Sequence, residues 1–422
     1  MTTMEDRNGR IYDPESISEE GFWALTADER EKRFRILRDE RPVSWHAPIQ
    51  GGMMEPQNAG FWAVTRHEHI QEVSKNPAIF CSGQGVQFEE VPEDMLEASH
   101  SFLALDAPRH QLLRRLVSSA FTPRQVSKLN DQIKNQATII IDQFLEAGDG
   151  DFVDRVSKRL PMWTVYEMMG LDPDQRERAA HLADDMVGWN DPEVLNGRDP
   201  GELMTDSLVG LLSMGLEFAD LRRREPKADL MTNLVNAEVD GEQLSDDDIA
   251  AFFVLISVAG NDTTRNTITL AAKALADHPE QKALLLEDFE GRIGPAIEEF
   301  VRWASPVMTF RRTATEDTVL GGQEIKEGEW VAMIYSSGNR DDRVFDHPEV
   351  FDITRPKNPH LGFGAGGPHF CMGNFVAKMQ LREIFDQLLH RAPNLAFGEP
   401  EYLAGNFVHA VKSMPCTIGT TT

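Results

Sequence analysis

The chain has 422 residues, 41% of them hydrophobic and 26% charged, the balance of an ordinary globular protein. Its formal net charge of −27 argues against nucleic acid or an anionic membrane surface as a main partner. The longest apolar run, Ile249 to Gly260, is shorter than the roughly 20 residues that span a bilayer, and no apolar signal core follows the first residues. The expectation is a cytoplasmic protein with no integral membrane segment.

No linker, low-complexity tract or internal repeat interrupts the sequence, so residues 1–422 are read as a single domain. Strand-like stretches come first, at Pro42-Val43-Ser44-Trp45 and Gly60-Phe61-Trp62-Ala63-Val64. Helical spacing dominates the next two hundred residues, with a loop from Leu195 to Gly201. A capping box at Ser245-Asp246-Asp247-Asp248 then opens one helix that can run to His278, before Pro279. It would be about 50 Å long at 1.5 Å per residue and would cross the whole protein. Phe252, Ile256, Ala259 and Thr263 share one face of it. A further helix is expected to open at Gly294-Pro295. Short strands and turns follow Pro306, at Thr318 to Leu320 and Trp330 to Ile334. The fold class is α-rich α+β, a large helical body with a small mixed β region.

The strongest chemical signal is Phe363-Gly364-Ala365-Gly366-Gly367-Pro368-His369-Phe370-Cys371-Met372-Gly373. Glycines let backbone amides approach an anion closely and form a nest around a thiolate. Met372, Phe375, Val376 and Met379 repeat at helical spacing, which puts Cys371 at a helix start, where the dipole lowers a thiol's pKa. Cys81 and Cys416 each stand alone, so neither a disulfide framework nor a zinc site is indicated.

A second signal, Ala259-Gly260-Asn261-Asp262-Thr263-Thr264, lies mid-helix, where glycine costs about 1 kcal/mol against alanine. A Thr hydroxyl turned back to a carbonyl one turn earlier bends a helix and opens space beside it. The third signal is Glu299-Phe300-Val301-Arg302, an i, i+3 pair that any helix surface can carry. Asn339-Arg340-Asp341 and Phe351-Asp352-Ile353-Thr354-Arg355 follow it.

Together and in this order the three motifs resemble the cytochrome P450 family over nearly the whole chain. The resemblance implies heme b, buried between the long central helix and the helix of the cysteine loop. Carried over residue by residue, it makes Cys371 the iron ligand, Asp262 and Thr263 the catalytic proton-delivery pair, and Glu299, Arg302 and Arg355 a structural ion network. It also implies heme contacts at Phe363, Ala259 and Gly373, and propionate partners at His110, Arg114, Arg312 and His369. One departure is that Phe363 lies eight residues before Cys371, where seven is usual. An actinobacterial subgroup shares this longer loop and also resembles the chain at Phe22-Trp23-Ala24-Leu25 and Val301-Arg302-Trp303-Ala304-Ser305-Pro306. That subgroup oxidises methyl-branched fatty acids, isoprenoids and sterol side chains, often at the terminal carbon.

The expected reaction is therefore insertion of one oxygen atom from O2 into a C–H bond of an apolar lipid-like substrate, with electrons from a ferredoxin and its reductase. The expected pocket is Met95, Phe102, Leu103, Val258, Val307, Met308, Phe310, Phe407 and Val408, with Met308 and Phe310 narrowing it above the iron. Alternatives are a terpene or polyketide hydroxylase, a peroxide-driven peroxygenase and a heme sensor. The last two would not need the acid–alcohol pair.

Overall fold

The computed structural model describes residues 5–7, 9–92, 102–120 and 123–419, with side chains not described for 123–127. Five strands form the main sheet: β1 (Val43–His46), β2 (Phe61–Val64), β3 (Phe80–Cys81), β4 (Thr309–Ala314) and, after the hairpin β5 (Thr318–Leu320) and β6 (Gln323–Ile325), β7 (Trp330–Ile334). The order across the sheet is β1-β2-β7-β4-β3. Only β2 and β7 run parallel; β7 then pairs antiparallel with β4, Ala332 opposite Arg311 and Met333 opposite Phe310. Both faces are covered, and the strands accordingly read as runs of buried residues.

The helical body holds α1 (Arg109–Ser119), α2 (Pro123–Ala147), α3 (Arg159–Met169), α4 (Pro173–Val187), α5 (Pro200–Arg224), α6 (Asp246–Ala259), α7 (Asp262–Asp277), α8 (Phe289–Ala304) and α9 (Asn374–Arg391). One apolar cluster gathers α2, α7, α8 and α9; a second gathers α1 and α3 to α6. The central helices α6 and α7 thus lie between the two clusters.

The expected single long helix is broken into α6 and α7. Ser245 caps α6, its side chain accepting from the Asp248 amide while Asp248 reaches back. At the other end the Ala259 carbonyl accepts from the Thr263 hydroxyl at 3.0 Å, and the Asn261 amide turns to Val258. A Cβ on Gly260 would meet Val165 at 2.7 Å and the Ile256 carbonyl at 2.8 Å, so only glycine lets α3 come this close to the break.

The helix carrying Glu299 also departs from expectation. It starts at Phe289, because the Asp288 side chain caps the Gly291 amide at 3.0 Å, and Pro295 lies inside it. Between α4 and α5 the expected loop is shorter than read. Residues Pro192–Leu195 form a helical turn, Asn196 takes a left-handed φ of 47°, and Asp199 caps α5.

Candidate active site

An internal cavity of about 490 Å³ lies between the α6–α7 break and the cysteine loop. Ala259, Asp262 and Thr263 line it on one side; Phe363, His369, Cys371 and Gly373 line it on the other. Ala259 and Gly373 count as exposed despite their central positions, which is the sign of a wall facing open space.

The cysteine loop is shaped by three left-handed glycines, Gly364, Gly366 and Gly367. A Cβ on Gly367 would meet the Ser74 carbonyl at 2.2 Å, so the loop rests directly on the helix of residues 67–75. The Cys371 amide donates to the Phe363 carbonyl at 2.9 Å, closing the loop across its extra residue. The Gly373 and Asn374 amides face the sulfur, and the Asn374 side chain donates to the Cys371 carbonyl at 2.7 Å. Here one expectation is corrected. Burial pushes the Cys371 thiol up, and these two amides and Arg114 offset only part of it. α9 begins three residues beyond Cys371, with Gly373 as its N-cap, and a bound metal ion would favour the thiolate that burial disfavours.

Whether heme fits can be judged from the polar groups around the cavity. Arg312 is buried, lines the cavity and forms no ion pair among the described residues; it donates to the Arg311 carbonyl at 2.7 Å. Its pKa is lowered by burial. The His110 Nε2 is buried and has no partner among the described residues. His110 stacks on His369 at 4.1 Å, and burial with Arg312, His110 and Arg114 nearby pushes His369 down to about 3. Burial and the neighbouring guanidiniums thus disfavour the charged form of both imidazoles. His110 lies behind His369 and does not itself line the cavity. Arg114 lines it and donates to the Phe370 carbonyl at 2.5 Å. Buried guanidiniums without acids are costly alone and suit two carboxylates. Orphaned donors beside a buried thiol fit heme with its propionates.

Across the cavity, Asp262 is fully buried and paired with Arg265, whose other nitrogen donates to Asp184 on α4 at 3.0 Å. Burial pushes Asp262 up to about 6, Arg265 opposes this, and Asp184 adds to it. Sequence reading missed Arg265, although it stands one turn beyond Asp262. It also missed Asp184, whose sequence neighbourhood carries no signal.

Glu299 and Arg302 are both fully buried and share two 2.7 Å hydrogen bonds. Arg355 approaches Glu299 at 3.2 Å, and Arg302 also reaches the Asn339, Pro348 and Val350 carbonyls. None of the three lines the cavity.

Of the expected pocket residues, Phe102, Leu103, Val258, Val307, Phe310, Phe407 and Val408 line the cavity; Met95 lies outside the described residues. Met308 does not line it. Its side chain packs with Phe22, Trp23 and Phe61 on the far face of the sheet, so it cannot narrow the space above Cys371. Phe407, edge-on to Phe310 at 5.2 Å, lines the cavity with Phe310.

Among the described residues no cluster of His, Cys, Asp or Glu could hold a metal ion, and no helix is long and apolar enough to cross a membrane. One cysteine in a glycine-rich loop, facing a broken helix with an acid–alcohol pair and flanked by guanidiniums that have no acid partner among the described residues, defines a heme-thiolate protein.

The comparisons name the family. A cytochrome P450 family model matches residues 216–392. The methyl-branched lipid omega-hydroxylase of Mycobacterium tuberculosis is 38% identical over 94% of this chain and 92% of its own length. The steroid C26-monooxygenase of Mycolicibacterium smegmatis is 37% identical over 89% and 87%. The structure of a Mycobacterium marinum cytochrome P450 in complex with pseudoionone superposes with a TM-score of 0.93, at 53% identity, over 97% of this chain and 99% of that one. The chain belongs to the cytochrome P450 family. It is a heme-dependent monooxygenase.

Proposed function

We propose that the protein hydroxylates the terminal carbon of a methyl-branched fatty acid, isoprenoid or sterol side chain, in the cytoplasm, with electrons from a ferredoxin and its reductase. The observation that carries this reading is the cavity itself, apolar along most of its wall and narrowed by Phe310 and Phe407. The names of the mycobacterial relatives support the same class of substrate. Each buried methylene contributes up to about 0.8 kcal/mol, so a long chain binds well with few polar contacts. Spin-state titration of the ferric protein with branched lipids, small terpenes and macrolides tests it. Micromolar binding of a branched chain and a terminal alcohol as product are expected. Tight binding of small terpenes or macrolides alone would overturn the substrate class.

In this reading Cys371 would ligate the iron, and Arg114, Arg312 and His369 would hold the propionates, with His110 backing His369. Bound heme iron activates dioxygen, with two electrons and two protons, for insertion of one oxygen atom into a C–H bond. The chain supplies orientation, water exclusion and protons. The Thr263 hydroxyl, on the cavity wall, hands on a proton, and the Asp262 carboxyl restores it. Arg265 and Asp184 fix that carboxyl, with the Tyr166 hydroxyl nearby.

Two results follow. Thr263→Ala should bind heme and substrate normally while spending NAD(P)H on hydrogen peroxide. Asp262→Asn should slow product formation by about 10²-fold or more, the usual worth of a general acid. The protonated form of Asp262 is the donor and its pKa is about 6. The coupled rate should therefore fall as pH rises through about 6, and Asp262→Asn should lose that dependence. Normal coupling in Thr263→Ala would refute the relay.

A further inference from the structure

We propose that Glu89, steadied by Asn406, is a polar anchor in the substrate cavity, selecting chains that end in a neutral hydrogen-bonding group, an alcohol or ketone, over free carboxylates. This rests on the reading of the cavity as a lipid site and narrows it. Glu89 lines the same cavity as Cys371 and Thr263 but is carried by different elements from either. Glu89 is half-buried and lines a cavity that is apolar along most of its wall. Its carboxylate accepts from the Asn406 side chain at 2.6 Å and forms no ion pair among the described residues. Asn406 is itself buried and precedes Phe407, so the residue that steadies Glu89 and one of the two aromatics share one loop.

The neighbouring Glu90 is differently engaged. It accepts from the Gln57 and Asn58 amides and the Asn58 side chain, at 2.9–3.3 Å, and so ties down the chain ahead of β2. Burial pushes the Glu89 carboxyl up, and only Asn406 and its own amide oppose this. Burial thus favours the protonated carboxyl, the form that donates to a ketone or alcohol oxygen, and either form accepts from a hydroxyl. A substrate carboxylate would face two acids here. The cation that could welcome it, Arg311, lies over Trp330 at 3.6 Å, donates to the Gln84 carbonyl at 2.6 Å and is balanced by Glu90.

The test is spin-state titration of the ferric holoenzyme with one saturated, methyl-branched chain carried as hydrocarbon, primary alcohol, methyl ketone and carboxylic acid. The alcohol and ketone should bind about tenfold tighter than the hydrocarbon, equivalent to about 1.4 kcal/mol, and tighter than the acid. Glu89→Leu should erase the advantage of the alcohol and ketone over the hydrocarbon; Glu89→Gln, which still donates and accepts, should keep most of it. Should Glu89→Leu fail to load heme, Asn406→Ala, which frees the carboxyl without altering the wall, should lower the same preference. An alcohol preference that survives loss of Glu89, or an acid bound best and lost in Arg311→Met, overturns the anchor. If no member of the series binds, the hydrocarbon included, the lipid reading fails and the anchor falls with it.

Discussion

Replacing Cys371 by histidine should move the carbon monoxide band of the reduced protein away from about 450 nm, the signature of a thiolate-ligated heme, and reduce monooxygenation to background. The expectation rests on position. Cys371 is the cysteine that lines the cavity, under the Gly373 and Asn374 amides. Cys81 sits in β3 opposite Thr313, and Cys416 in the strand Pro415–Ile418 opposite Phe397; both are buried within sheets. Cys416→Ser should therefore keep the band unchanged. An unshifted band in Cys371→His, or its loss in Cys416→Ser, would remove the axial assignment. The variant tests more than ligation. Burial holds the Cys371 thiol protonated without metal, so a neutral imidazole at the same place would bind iron without the electron donation that favours O–O cleavage.

How much of this was legible before the fold was known depended on the range of each interaction. The cysteine loop could be read because its glycines, its cysteine and the next helix are contiguous, and left-handed backbone writes itself as glycine. The Ser245 cap and the Thr263 hydroxyl bond are likewise local, spanning three and four residues. The break at Gly260 was read only as an opening in one helix, because Val165, whose approach leaves room only for glycine there, lies on another helix. Asp184 lies 81 residues from the Arg265 it holds, a distance no motif spans. Met308 was misplaced because it lies just ahead of β4, where the alternation that sets Phe310 does not yet hold. Phe310 was expected in the pocket on the same evidence and lies there, but its partner Phe407 comes from a loop near the chain's end. Glu89 was not singled out at all. In sequence it is one acid in an acidic stretch, and only burial gives it a different chemistry.

Glu299→Ala should yield little or no heme-loaded protein, although no atom of Glu299 lines the cavity. Its carboxylate is fully buried and meets Arg302 in two parallel hydrogen bonds, Arg355 at 3.2 Å, the Asn358 side chain at 3.0 Å and the Asp352 amide at 2.9 Å. One side chain therefore ties α8 to the segment 352–358 that leads into the cysteine loop. Removing it strands the fully buried Arg302 without its acid and frees that segment. Breaking a buried pair from one side costs about 3–5 kcal/mol, against the roughly 5–15 kcal/mol that holds most proteins folded. Arg302→Lys should fail nearly as badly, since an ammonium cannot match the two-pronged contact or reach three carbonyls at once. The control is Arg224→Ala, which breaks an ion pair with the mostly exposed Asp220 and should cost at most about 1 kcal/mol. Heme content per chain and the urea midpoint would separate the three variants. If Glu299→Ala is soluble, full of heme and merely altered in the position it hydroxylates, the network belongs to catalysis and not to the scaffold.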